Sequence, residues 1–128
     1  MRRILAVAVL LAAALAVFLY VRGSAPGPLT LTSAGTRYAV TVVVPRPTAG
    51  RVTAEVQVTS GEPRTVTLST VMPGMGHSTP EIVADARGPG RYVAEGELFP
   101  MAGVWELSVR LNGAAGEEVL VVKAPITG

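Results

Sequence analysis

From Tyr38 onward the apolar residues recur at every second position, and that period leaves little choice of fold. Arg51–Thr59 shows it most cleanly: Val52, Ala54, Val56 and Val58 fall on one side, Thr53, Glu55 and Gln57 on the other. Successive side chains of a strand point to opposite faces, so this pattern describes a sheet with one buried and one wet face. Val104–Leu111 repeats it, with Trp105, Leu107, Val109 and Leu111 against Glu106, Ser108 and Arg110. Arg64–Met72 places Val66 and Leu68 inward, and Arg91–Leu98 places Tyr92, Ala94 and Leu98 together. Tyr38–Val44, Glu81–Ala86 and Glu117–Lys123 are further strand candidates, and Pro125 is expected to end the last one. Gly, Pro and Asn clusters separate these runs at intervals of roughly 8–12 residues, which predicts an all-β, antiparallel β-sandwich of about seven strands. Trp105 is the expected centre of its core, because a large aromatic buries the most area. Tyr92 follows a Gly-Pro-Gly turn and reads two ways: a hydroxyl bonded to backbone, as in a tyrosine corner, or a plain half-buried strand residue.

Residues 1–23 do not share the period. Met1-Arg2-Arg3 is basic, and Ile4–Val21 is an unbroken apolar run. As a helix that run reaches about 27 Å, close to the ~30 Å of a hydrocarbon core. Gly23-Ser24-Ala25 offers a weak cleavage site, but Pro26 follows it and the run exceeds the usual signal core. A retained N-terminal membrane anchor is therefore favoured over a cleaved signal. In either case the leading arginines orient the rest of the chain outward, predicting an extracytoplasmic domain. Residues 24–36 are rich in Gly, Pro, Ser and Thr and read as a flexible linker, with Leu29–Thr32 at most a short edge strand. The sandwich is expected over 37–124.

The charge balance follows this division. Of 11 basic residues, Arg2, Arg3 and Arg22 lie in the N-terminal segment, leaving 8 against 9 acidic residues, or about −1 for the remainder. The high isoelectric point thus belongs to the segment and gives no support for nucleic-acid binding, which needs a basic patch on the folded part. The chain has no cysteine, which removes disulfides, thiolate metal sites and a cysteine nucleophile.

Within this frame one cluster stands out. Met72-Pro73-Gly74-Met75-Gly76-His77 holds the only histidine and two of the three methionines other than the initiator; the third, Met101, lies in Phe99-Pro100-Met101-Ala102-Gly103. Loops two connections apart in an antiparallel sandwich lie at the same end, so residues 73–80 and 99–103 are expected to share a pole with the turn at 45–50. If Tyr38–Val44 is the first strand, that pole points away from the membrane; an added strand at Leu29 reverses this.

Thioether sulfur and imidazole nitrogen suit copper, and sulfur favours Cu(I) over hard cations. Met72, Met75, His77 and Met101 are the candidate metal ligands, with Pro73, Gly74 and Gly76 letting the backbone turn back on itself. The bland alternatives are specific. Met72 shares parity with Val66 and Leu68 and can cap the core, Met101 can plug the sandwich end, and His77 can be a plain loop residue. An enzyme is not expected: no Gly-x-Ser-x-Gly elbow is present, and Gly74-Met75-Gly76-His77-Ser78-Thr79 lacks the lysine of a phosphate loop.

Three pieces carry a family resemblance: Leu68–Pro80 with its Met-Pro-Gly-Met-Gly-His core, Gly88-Pro89-Gly90-Arg91-Tyr92, and Phe99-Pro100-Met101-Ala102-Gly103-Val104-Trp105. Together they resemble the YtkA-like domain family and are similar to the FixH proteins. The resemblance implies an immunoglobulin-like sandwich, anchored or exported, with Met72, Met75, His77, Tyr92, Met101 and Trp105 at the motif positions. It further implies copper handling, metal efflux or haem-copper oxidase assembly as the setting. The competing expectation is a metal-free module that docks the same pole on an oxidase-assembly or efflux partner.

Overall fold

A computed structural model describes residues 27–128. The N-terminal helix, anchor or signal expected over 1–23 lies outside the described residues. The described residues form β1 (Leu29–Ala34), β2 (Ala39–Val44), β3 (Gly50–Ser60), β4 (Pro63–Met72), β5 (His77–Ser78), β6 (Ile82–Val83), β7 (Asp85–Ala86), β8 (Arg91–Phe99), β9 (Gly103–Gly113) and β10 (Gly116–Ile126). No helix occurs among them. One sheet has the order β1-β2-β3-β8-β7 and the other β10-β9-β4-β5, with β6 also paired to β4. All strand pairings are antiparallel. The fold is thus the all-β, two-sheet sandwich that the alternation describes.

The predicted faces meet between the sheets. Val52, Ala54 and Val56 of β3, and Trp105, Leu107, Val109 and Leu111 of β9, are buried in one core with Val66 and Leu68 of β4 and Ala94 and Leu98 of β8. Val58 and Tyr92 pack against it half-buried. The Tyr92 hydroxyl donates to the Pro63 carbonyl at 3.0 Å, tying β8 of one sheet to the start of β4 in the other. Both readings of Tyr92 therefore hold at once: the ring is half-buried and its hydroxyl is spent on backbone.

Four boundaries differ from expectation. Leu29–Ala34, placed in the linker of 24–36 or limited to a short edge, is a full strand in register with Ala39–Val44. Leu29 and Leu31 pack on the core while Thr30 and Thr32 face out, an alternation too brief to outweigh the Gly/Pro context before it. Glu81–Ala86 is not one strand. Ile82–Val83 pairs with β4 and Asp85–Ala86 with β8, so the chain changes sheets at the small, buried Ala84. Gly96 makes room for this crossing, since a Cβ there would meet Ile82 Cδ1 at 2.6 Å. Pro125 does not end β10. It pairs with Val104 and faces out on an edge strand, where a missing N–H costs no ladder bond. Phe99, read as a turn residue, closes β8 and is fully buried.

Each pole has its own fastening. At the end holding the β1–β2 turn, the Glu118 carboxylate of β10 accepts from the backbone N–H groups of Thr36, Arg37 and Tyr38 and from the Thr36 hydroxyl. Desolvation pushes this carboxyl up, and the bonds from Tyr38, Thr36 and Arg37 more than offset it, so its pKa lies below the ordinary value. At the other end Thr70 and Thr79 form a short relay. The Thr70 N–H donates to Thr79 Oγ1 (3.1 Å), the two hydroxyls bond at 2.8 Å, and the Thr70 hydroxyl donates to the Leu98 carbonyl of the opposite sheet. The C-terminal residues join this second pole, where Thr127 bonds Pro47 and Ala49.

Candidate metal centre

β4 carries the chain down to Met72, and a four-residue turn returns it to His77. Met72 and His77 are directly paired, as are Val71 and Ser78. Gly74 (φ 84°) and Gly76 (φ 68°) hold the left-handed conformation that such a reversal needs and that residues with a Cβ resist. The Met75 N–H donates to the Met72 carbonyl at 3.3 Å inside the turn. Opposed residues of an antiparallel pair project to one face with Cβ atoms ~4.5–5.5 Å apart. Met72 and His77 therefore share a side of the hairpin. Met72 is buried against the core, whereas His77 is exposed at the rim.

The second loop arrives beside it. β8 runs down and ends at Phe99, and β9 starts upward at Gly103, so Met101 turns at the same pole as Met75. The two loops touch through Gly103. A Cβ on Gly103 (φ 141°) would stand 2.6 Å from Met72 Cε and 3.7 Å from its sulfur. The Met72 thioether thus lies on the backbone of the Met101 loop, in space that only glycine leaves free. Beneath that loop the fully buried Trp105 donates its indole N–H to the Met101 carbonyl at 2.9 Å. Phe99 meets the Trp105 ring edge-on, centroids 6.3 Å apart.

The four candidate ligands therefore fall into two kinds. Met72 is a floor residue, 7% exposed and packed in the core. Met75 (58% exposed), Met101 (40%) and His77 lie exposed on the turns of the same pole. The core-cap reading of Met72 holds, and it coexists with a sulfur placed at the junction of the two loops. No three of His, Cys, Asp and Glu gather anywhere among the described residues. Thr70, Phe99 and Gly103 complete the support of this pole. Gly103 and Phe99 stood in the Phe-Pro-Met-Ala-Gly segment that the sequence singled out, though as turn residues; Thr70 carried no signal of its own. Tyr92, grouped with the motif, bonds Pro63 at the opposite pole and takes no part in this one.

Searches of characterised proteins and of solved structures return no match. The YtkA-like family model matches residues 32–110, which is 79 of 128 residues and spans both methionine loops, Tyr92 and Trp105. The chain belongs to the YtkA-like family.

Proposed function

We propose that this is an extracytoplasmic, immunoglobulin-like copper-binding domain that takes up or passes on Cu(I) at its methionine pole, without catalysis of its own. One observation carries the reading. The sole histidine and every methionine beyond the initiator come to one end of the sandwich, with Met72 paired to His77 and lying against the Met101 loop. Neutral thioethers and one imidazole suit the low coordination numbers of Cu(I) and bring no charge that binding must neutralise. Met75, Met101 and His77 would take the ion from solvent, and Met72 would supply the inner sulfur. The N-terminal apolar run and the family support a position outside the cytoplasm. A Cu(I) competition titration of residues 24–128 tests it. Stoichiometric binding that Met75→Leu and His77→Ala each weaken supports the reading. Binding no tighter than about micromolar, or indifferent to both changes, sinks it.

The exposure of Met75, Met101 and Val104 (56%) at this end favours a second reading. In it the pole is an adaptable apolar contact for an oxidase-assembly or efflux partner, and the methionines contribute flexible surface rather than ligands.

A further inference from the structure

The direction of β1 decides which end of the sandwich the N-terminal chain comes from. β1 runs from Leu29 to Ala34, its turn to β2 lies at the Glu118 end, and Leu29 is opposite Val44. From Val44 the chain descends through Pro45–Ala49 to the bridge between Thr48 and Thr127 at the methionine pole. The chain therefore enters β1 from the methionine end. We propose that the methionine pole is the membrane-facing end of the domain, lying against the bilayer surface.

Distances are compatible with this orientation. Residues 22–28 separate the apolar run from β1. Fully extended, the path from Val21 to Leu29 reaches ~26 Å. A segment of that reach can span the ~13 Å between the level of Leu29 and that of Gly50, where β3 begins at the methionine pole. The inverted orientation requires the same segment to reverse at Leu29 and run ~17 Å back along β1 before it clears the turn at Gly35–Tyr38, using most of its reach.

The surfaces of the two ends differ in the same sense. The loops 45–49, 73–76 and 100–102 carry one charged side chain, Arg46, and no carboxylate, and they expose Met75 and Met101. The opposite turns present Arg37, Glu62 and Arg87. Loops with exposed methionines and no side-chain carboxylate suit a phospholipid headgroup layer, which repels carboxylates when it carries anionic lipid. A partner that meets this pole is then embedded in that membrane. The proposal rests on the reading of residues 1–23 as a retained anchor and is independent of whether copper binds.

The chain's lack of cysteine makes the test direct. The full chain is placed in vesicles of phosphatidylcholine and phosphatidylglycerol as Ala102→Cys or Ala115→Cys, each with a fluorophore on the single thiol. Nitroxide-headgroup lipid should quench the label at 102 several-fold more than the label at 115. A twenty-residue Gly/Ser insertion after Gly27 should bring the two values together. Equal or reversed quenching without the insertion overturns the proposal, as does recovery of the chain free of vesicles. Cu(I) titration of the same vesicles separates the two ideas, since failure to bind sinks the copper reading and leaves the quenching result standing.

Discussion

The Trp105 indole N–H donates to the Met101 carbonyl four residues earlier in the chain, so the loop that offers a surface thioether hangs from the largest fully buried side chain of the core. Trp105→Phe removes this bond and shrinks a fully buried side chain. The expected cost is about 2–3 kcal/mol, combining a lost hydrogen bond with a partial cavity. Urea denaturation followed by far-ultraviolet circular dichroism measures it. Under the copper reading, the folded variant should also bind Cu(I) more weakly, since the Met101 loop loses its anchor.

Met72 is both floor and candidate ligand, and two substitutions separate the roles. Met72→Ala should destabilise by about 2–4 kcal/mol through the cavity it leaves. Met72→Leu conserves volume and should cost less than about 1.5 kcal/mol. If the sulfur is a ligand, Met72→Leu keeps the fold and lowers Cu(I) affinity, read by competition with a chromophoric chelator. Unchanged affinity in the stable variant would restrict Met72 to packing.

Gly103→Ala tests the contact between the two loops. The φ of 141° is strained for alanine, and the new Cβ would stand 2.6 Å from Met72 Cε. The flexible end of Met72 can swing aside, but the backbone strain stays. The expected loss is about 1–3 kcal/mol, with the Met72 thioether displaced from the Met101 loop. Thermal denaturation reads the first effect and the methionine methyl carbon–proton spectrum the second.

Thr70→Val keeps the shape and removes the hydroxyl that joins β4 to the Leu98 carbonyl. The buried carbonyl loses its bond and Thr79 loses its acceptor. A cost of about 1–3 kcal/mol follows, and hydrogen exchange should quicken at the methionine end more than at the Glu118 end.

Glu118 gives the fold an acid-sensitive clasp. Its folded-state pKa is depressed, so the stability it contributes is fully present above the unfolded-state value. That stability is lost as pH falls through the folded-state value, below the ordinary 4.5. Glu118→Gln should lower the melting temperature at pH 7 and flatten its decline between pH 5 and pH 3. A variant whose acid decline matched the parent would place the acid sensitivity elsewhere.

Much of this architecture was legible in the chain because burial in a sandwich obeys a period of two. The inward sets on β3 and β9 fall where the alternation puts them, and the same parity brought Met101 to the pole of Met75. What escaped the sequence depends on partners distant along the chain. Glu118 reads as one more solvated carboxylate until the turn at Thr36–Tyr38 lies against it, 80 residues away from Tyr38. Thr70 looks like an ordinary strand threonine until Leu98 faces it from the other sheet. The division of Glu81–Ala86 between sheets is invisible locally, because each half is only two residues long. At the candidate site the donor types and their shared end were readable. The sorting into a buried Met72 and exposed Met75, His77 and Met101 needed packing to define it.

The outward side of β10 carries a liability of a different kind. An eleven-residue strand at a sheet margin, with Val119 and Val121 facing water, has the makings of a template on which a second chain could zip. Lys123 and Pro125 interrupt the last third of that margin, one by charge and one by its missing donor. Replacing them with threonine and valine should leave the sandwich folded yet shorten its lifetime in concentrated solution, so that two ordinary surface residues guard the domain against pairing with its own copies.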